Sequence, residues 1–227
     1  MKFALHFGNN TFPDFASAAR LARLAEAAGF DSVLAVDHVV FPDNYTSTYP
    51  YSATGRLPVG RSGAFPDPLI WIAYAAAVTT RLRFLTGVVI LPQRDPLVLA
   101  KQVATLDYMS GGRFELGIGV GWLKEEFEAL DSPDFDKRGA VTDEWIAIFR
   151  QLWTHSPASF KGQFYDYNDI RAEPFPLQKP HPPIWVGGHS RAALRRTARH
   201  GLDGGRLDRV RPRRVPRLPH GGGRTDP

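Results

Sequence analysis

Three short runs in this sequence place chemically useful groups together. The first is Asp37-His38, a carboxylate and an imidazole at the end of the apolar run SVLAVDH (32–38). An imidazole titrates near neutrality, so His38 at a strand end is a candidate general acid or base. A histidine that only caps the following loop fits the pair equally well. The second run is GGHSRAALRR (187–196), in which Gly187, Gly188, His189 and Ser190 open a helix directly after a strand. Free backbone N–H groups at a helix start form a site for a phosphate, and a tight turn without a ligand uses the same residues. The third run, GIGVGW (117–122), carries glycines at every second position. Its third glycine comes one residue early for a dinucleotide fingerprint, and no acidic strand end follows about 20 residues later, which disfavours a doubly wound NAD enzyme. Alternate glycines either leave a smooth wall for a flat ring or let neighbouring strands approach closely. No His/Asp/Glu grouping has metal-ligand spacing, and neither a G-x-S-x-G elbow nor a Walker loop is present. The absence of cysteine excludes disulfides, thiolate metal sites and cysteine nucleophiles.

The elements that must position these groups alternate short apolar strands with amphipathic helices, the pattern of a parallel α/β fold. KFALHFG (2–8) reads as a strand and DFASAARLARLAEAAG (14–29) as a helix with an apolar face of Ala18, Leu21, Ala22, Leu24, Ala25 and Ala28. The strand 32–38 runs into a Pro-, Gly-, Ser- and Tyr-rich loop (39–66), then DPLIWIAYAAAVTT (67–80) opens a helix with an Asp cap and a Pro at its first position. The strand 81–91 and the helix 95–112 repeat that Asp-Pro opening, and the strand 113–121 leads to helical pieces at LKEEFEAL and 137–153. Residues 157–182 break the rhythm with alternating aromatics and prolines, as a small hairpin would. PIWVGG (183–188) and SRAALRRTARHG (190–201) complete a fifth unit. Five units fit an eight-unit barrel lacking its last three better than a finished open sheet. Trp71, Tyr74, Trp145 and Trp153 fall on helices at core-like spacing and read as packing residues, whereas Trp122 directly follows a strand end and reads as part of the mouth of a site.

VDHVVFP (36–42), TGVVILPQRDPLVLAKQVATLDYMSGGRFELGIGVGWLKEEFEAL (86–130) and PPIWVGGHS with RAALRRTARHG (182–201) together resemble the luciferase-like monooxygenase superfamily. The resemblance covers about residues 1–201 and is strongest to the branch that uses the deazaflavin coenzyme F420; relatives use FMN in the same (β/α)8 TIM barrel. It implies an oxidoreductase in which F420 exchanges a hydride with a small organic substrate, or, with FMN, a monooxygenase. Asp37 would touch the isoalloxazine-type ring and His38 would be the catalytic proton donor or acceptor. A non-prolyl cis peptide at Gly87-Val88, next to Thr86, would form a bulge behind the ring. Val120, Gly121 and Trp122 would line the ring pocket, and Gly187, Gly188, His189 and Ser190 would bind the cofactor phosphate. Some F420 enzymes carry an acidic residue where this sequence has Trp122, which leaves His38 as the principal acid/base group.

The chain has 227 residues, 43% of them hydrophobic, with 28 basic and 23 acidic side chains and a net charge of +5. Residues 202–227 hold seven Arg, three Asp, five Gly and four Pro, so residues 1–201 carry 21 basic and 20 acidic groups and are close to neutral. The tail lacks aromatics and any apolar stripe, so it is expected to be disordered, and it lacks the interleaved aromatics of an RNA-binding arm. Relatives continue past the equivalent of TARHG with an Asp-Gly-Trp-type strand, where this chain reads LDGGRLDRV (202–210). The expectation is a partial barrel over 1–201 followed by a tail of the composition a lost reading frame would write, poorly stable and weakly active. An inactive barrel fragment that only binds is the alternative. The start MKFALHFGNN lacks the basic cap and apolar run of a signal peptide, and no stretch of 18 apolar residues occurs. A cytoplasmic protein with a small-molecule substrate, no nucleic-acid or membrane partner, and a homodimer for the full-length family are therefore expected.

Overall fold

The computed structural model describes residues 2–58 and 63–188. The helix expected over 190–201, the tail, and the candidate residues His189 and Ser190 lie outside the described residues. In chain order the elements are β1 (Ala4–Leu5), α1 (Gly8–Thr11), α2 (Phe15–Ala27), β2 (Ser32–Ala35), α3 (Pro68–Ala77), β3 (Arg83–Thr86), β4 (Val89–Ile90) and α4 (Pro96–Met109). They continue with β5 (Phe114–Gly119), α5 (Lys124–Ala129), α6 (Arg138–Thr154), β6 (Ala158–Lys161), β7 (Asp166–Ile170) and β8 (Ile184–Val186).

The main sheet is wholly parallel. β1 pairs β2, β2 pairs β3, β3 pairs the first half of β5, and β8 lies on the other side of β5. β4 resumes the line of β3 beyond Gly87-Val88, setting Val89 opposite Ile118 and Ile90 opposite Gly119. A strand, a crossover helix and a parallel neighbour repeat along the sheet, which is the architecture of a (β/α) barrel in part.

Local sequence explains the helix ends. Asp14, Asp67 and Asp95 each accept two backbone N–H groups of the first turn of α2, α3 and α4, caps worth about 1 kcal/mol each. Gly29 closes α2 at φ 79°, while Gly29 N–H reaches Glu26 O and Phe30 N–H reaches Ala25 O, the paired bonds of a Schellman stop. The hairpin expected within 157–182 is present as antiparallel β6 and β7. It is docked on α6 by Glu144, whose carboxylate accepts from the N–H groups of Gln163, Phe164 and Tyr165.

The core lies between the sheet and α3, α4 and α6. Trp71, Trp145 and Trp153 are buried there, and their indole N–H groups donate to Phe12 O, Arg94 O and Ala100 O. Four sequence expectations need correction. Tyr74 is 41% exposed on the outer side of α3, and Leu24 is 57% exposed on α2, because the buried stripe of α2 is the narrower set Ala18, Ala19, Ala22 and Ala25. The strand expected over 2–8 is only β1, because Phe7 turns to φ 62° and starts α1. The strand expected over 81–91 is divided at Gly87-Val88 into β3 and β4.

Candidate active site

The carboxyl ends of β2, β3, β5 and β8 gather most of the candidate residues. The end of β2 is held by Asn9, which is fully buried: its side chain donates to Val36 O and accepts from Val36 N–H, both at 2.8 Å. Asn9 thus plays the part of a neighbouring strand where the sheet has run out, and a further bond to Pro66 O ties down the far end of the 39–66 loop. Asp37 and His38 follow directly, and their side chains have different fates.

Asp37 points into the protein. Its side chain has no exposure, and its carboxylate takes Arg94 Nη2 at 2.8 Å and Ile90 N–H at 3.1 Å. Burial pushes this carboxyl up from its ordinary range, against the pull of the Arg94 guanidinium and the Ile90 N–H. The same Arg94 nitrogen reaches Asp67, the cap of α3, at 2.9 Å. The Asp37 carboxylate, expected to touch a ring, here forms an internal knot joining the ends of β2 and β4 to the start of α3. Thr86 is likewise buried, and its hydroxyl donates to Gly117 O and accepts from Gly117 N–H. It locks β3 to β5 rather than presenting itself at the mouth.

His38 meets a partner that the sequence did not indicate. Its Nδ1 lies 2.8 Å from Oε2 of Glu126, a residue of α5 with no exposed surface. The other oxygen of Glu126 accepts from Val39 N–H at 2.8 Å and Val40 N–H at 3.3 Å. Around the imidazole stand the edges and faces of Phe41, Phe65 and Trp122, with ring centroids at 5.3, 5.6 and 5.9 Å. Tyr45 and Tyr49 pack on the far side of Trp122. The 39–66 loop thus converges on His38 with the aromatic side chains of Phe41 and Phe65.

Gly87, Val88, Val120, Gly121, Trp122, Gly187 and Gly188 are all partly exposed at the strand ends, and the Gly87-Val88 bond is cis. Val88 explains two of the glycines: a Cβ on Gly119 would come within 2.6 Å of its side chain, and one on Gly187 within 2.8 Å. A Cβ on Gly117 would collide with the Thr86 carbonyl. Of the two readings of the alternate glycines, close approach of neighbouring chain segments is therefore what Gly117 and Gly119 serve. The surface above them is Val88 with the bare backbone of Gly87 and Gly187. His6, at the end of β1, completes this rim: its Nε2 lies 3.3 Å from where a Cβ on Gly87 would stand.

Arg94 and Glu126 were missed as functional positions. In sequence they lie 57 and 88 residues from the groups they hold, so only the fold brings them there. Glu126 sits in LKEEFEAL among acids that read as a solvated helix face. Among the described residues no group of three or more His, Cys, Asp or Glu is arranged to hold a metal.

A parallel (β/α) sheet with backbone glycines and the imidazoles of His6 and His38 at its strand ends is the architecture of a TIM-type barrel in part, with its candidate site at the carboxyl ends of the strands. A sequence model described as luciferase-like monooxygenase matches residues 3–203, and the chain belongs to that family. An uncharacterized protein of Mycobacterium tuberculosis is 40% identical over 220 residues, covering 94% of this chain and 75% of that protein. The FMNH2-dependent dimethylsulfone monooxygenase of Pseudomonas putida is 33% identical over 177 residues, covering 77% of this chain and 44% of the enzyme. Among solved structures, a monooxygenase from Streptomyces bottropensis superposes with a TM-score of 0.71 at 30% identity, covering 91% of this chain and 59% of that one. The coenzyme F420-dependent tetrahydromethanopterin reductase of Methanopyrus kandleri shares the fold, with a TM-score of 0.66 at 20% identity, covering 86% and 52%. The chain thus spans little more than half the length of these solved relatives.

Proposed function

We propose that this chain supplies the ring-binding and proton-transfer side of a reduced-flavin-dependent oxidoreductase acting on a small organic substrate, with FMN as cofactor. The observation that carries the reading is the juxtaposition at two paired strand ends of an oriented imidazole, His38, and the bare backbone of Gly87 beside the Val88 side chain. The two segments are adjacent because Ala35 pairs with Thr86 and Gly87 N–H bonds Ala35 O. The residues present fit a flat ring: a Cβ on Gly187 would come within 2.8 Å of Val88, and one on Gly87 would press on Leu34 at 3.0 Å and His6 at 3.3 Å, so main chain, Val88 and His6 form the rim. Gly87, Val88, Val120, Gly121 and Trp122 would hold the ring, and Gly187 and Gly188 would begin the phosphate anchor. When bound, FMN supplies two-electron chemistry and oxygen activation. The protein binds and orients the substrate among Phe41, Phe65 and Trp122, keeps water from it, and moves a proton at His38.

The choice of FMN follows the relative of named chemistry at 33% identity. F420-dependent hydride transfer, the sequence-based expectation, is the second reading, favoured by fold-level likeness to F420 enzymes at 20 and 21% identity. A homodimer and a cytoplasmic location belong to the proposal; among the described residues no helix is long and apolar enough to cross a membrane. The test is a titration of the 227-residue chain with FMN and with F420, followed by the fluorescence of each. Saturable FMN binding supports the first reading and F420 binding alone the second. Binding of neither at high micromolar concentration overturns both.

A further inference from the structure

We propose that Glu126 is a positioning residue for His38: its buried carboxylate holds the imidazole in the Nδ1–H form and leaves Nε2 as the atom that exchanges a proton at the strand ends. This rests on the reading of His38 as the acid/base group and adds to it the tautomer and the residue that sets it. The argument is an inventory of donors. An ionised carboxylate only accepts. One oxygen of Glu126 already takes the N–H groups of Val39 and Val40, and the other lies 2.8 Å from Nδ1. Nδ1 must therefore carry a proton, and in the neutral ring Nε2 is then the bare nitrogen.

Among the described residues no other hydrogen-bond partner of the imidazole competes for that choice: beside Glu126 it meets the rings of Phe41, Phe65 and Trp122. Among the same residues the ion pair recorded for Glu126 is the one with His38, and no Lys or Arg shares it. Glu126 has no exposed surface and the His38 side chain is 8% exposed, so water does not substitute for the bond.

A purely structural role, anchoring residues 39 and 40 to α5, predicts a different response to Glu126→Gln. A glutamine has one acceptor and one donor group at its tip. Facing two backbone N–H groups on one side and one ring nitrogen on the other, its oxygen is best turned to Val39 and Val40. Its NH2 then donates to Nδ1 and forces the proton to Nε2. The loop anchor survives and the tautomer reverses.

The experiment is 15N NMR of the chain labelled at histidine, at a pH where the rings are neutral, with His38→Gln to assign the signals. The expected result is a protonated Nδ1 and a bare Nε2 for His38 in the wild type, and the reverse in Glu126→Gln. A wild-type ring protonated on Nε2, or a tautomer unchanged in Glu126→Gln, overturns the proposal; if the variant does not fold, the wild-type spectrum decides. In the cofactor-loaded enzyme the same variant is expected to lower kcat about 10²-fold with KM little changed, as for a lost proton-transfer group. The NMR result stands whether or not FMN or F420 binds, so failure of the cofactor reading and failure of the tautomer assignment are separately visible.

Discussion

Taking the imidazole away from position 38 separates binding from chemistry. His38→Ala leaves Gly87, Val88 and the glycines of β5 and β8 untouched, so FMN or F420 titration by fluorescence should give nearly the wild-type affinity. Turnover should fall by about 10²–10⁴-fold, the usual contribution of a positioned proton donor or acceptor; full turnover in the variant would remove His38 from the reaction. The glycines make a graded second test. In Gly117→Ala the new methyl group collides with the Thr86 carbonyl and opens the two hydrogen bonds between the Thr86 hydroxyl and Gly117, so urea unfolding should show a loss of about 1–3 kcal/mol or more. Gly29→Ala meets no atom within 4 Å but sits at φ 79°, so it should lose only the left-handed backbone term of about 1–2 kcal/mol. At this scale His38 stands out in the sequence as an imidazole at a strand end, whereas the break at Gly87-Val88 is expected only from the family resemblance, the residues alone reading as one strand over 81–91. The sequence hides Glu126 and Arg94, since a charged residue on a helix or loop looks the same whether it faces water or a partner far along the chain. Nor does it show that Arg94 and the Ile90 N–H take the Asp37 carboxylate, or that Gly117 takes both polar roles of the Thr86 hydroxyl.

Carboxylates that accept backbone N–H groups join elements here, and they give the fold an acid-sensitive side. Glu26, near the end of α2, accepts from the N–H groups of Thr80, Arg81 and Leu82 through one oxygen, fixing the turn into β3. The N–H groups of Arg81 and Leu82 bring its carboxyl down to about 2 from an ordinary 4.5. Glu125 is also lowered to about 2: burial opposes the charged form, but the Ser47 hydroxyl and the N–H and hydroxyl of Thr46 outweigh it. A folded-state pKa below the unfolded one gives stability that is present above about 4.5 and is lost as the pH falls toward 2. The urea midpoint should therefore drop between pH 5 and pH 2.5. Glu26→Gln should flatten that dependence, and Glu125→Gln should flatten it further; an unchanged slope in the double variant would show that these bonds do not form in solution. The elements themselves were largely legible, because Asp-Pro openings and glycine stops act locally. What was not legible was set by tertiary contact: the early end of β1 at Phe7, the outward turn of Tyr74 and Leu24, and the clamp of Glu125 and Glu126 on the loop after His38.

Across the whole molecule the sheet presents two outer strands. Among the described residues β1 pairs only with β2 and β8 only with β5, so each leaves a row of backbone donors and acceptors without a strand partner there. Large apolar side chains are exposed on the same described body, among them Phe3 at 56%, Phe15 at 75%, Ile70 at 74% and Met109 at 81%. Unpaired parallel edges and apolar surface both favour association with other chains, and the near balance of 21 basic and 20 acidic groups over residues 1–201 gives little charge repulsion to oppose it. The 227-residue polypeptide purified by itself should therefore bind a hydrophobic dye, and size-exclusion chromatography should show it moving from monomer into larger species as its concentration rises. Hydrogen exchange should be fastest at the amides of β1 and β8 and slowest in β2, β3 and β5, which have a neighbour on both sides. The two measurements report on one cause, so they should agree: a non-associating monomer that melts cooperatively, binds FMN or F420 tightly and protects β1 and β8 as well as β5 would show that the edges are covered and that this account of the sheet is wrong.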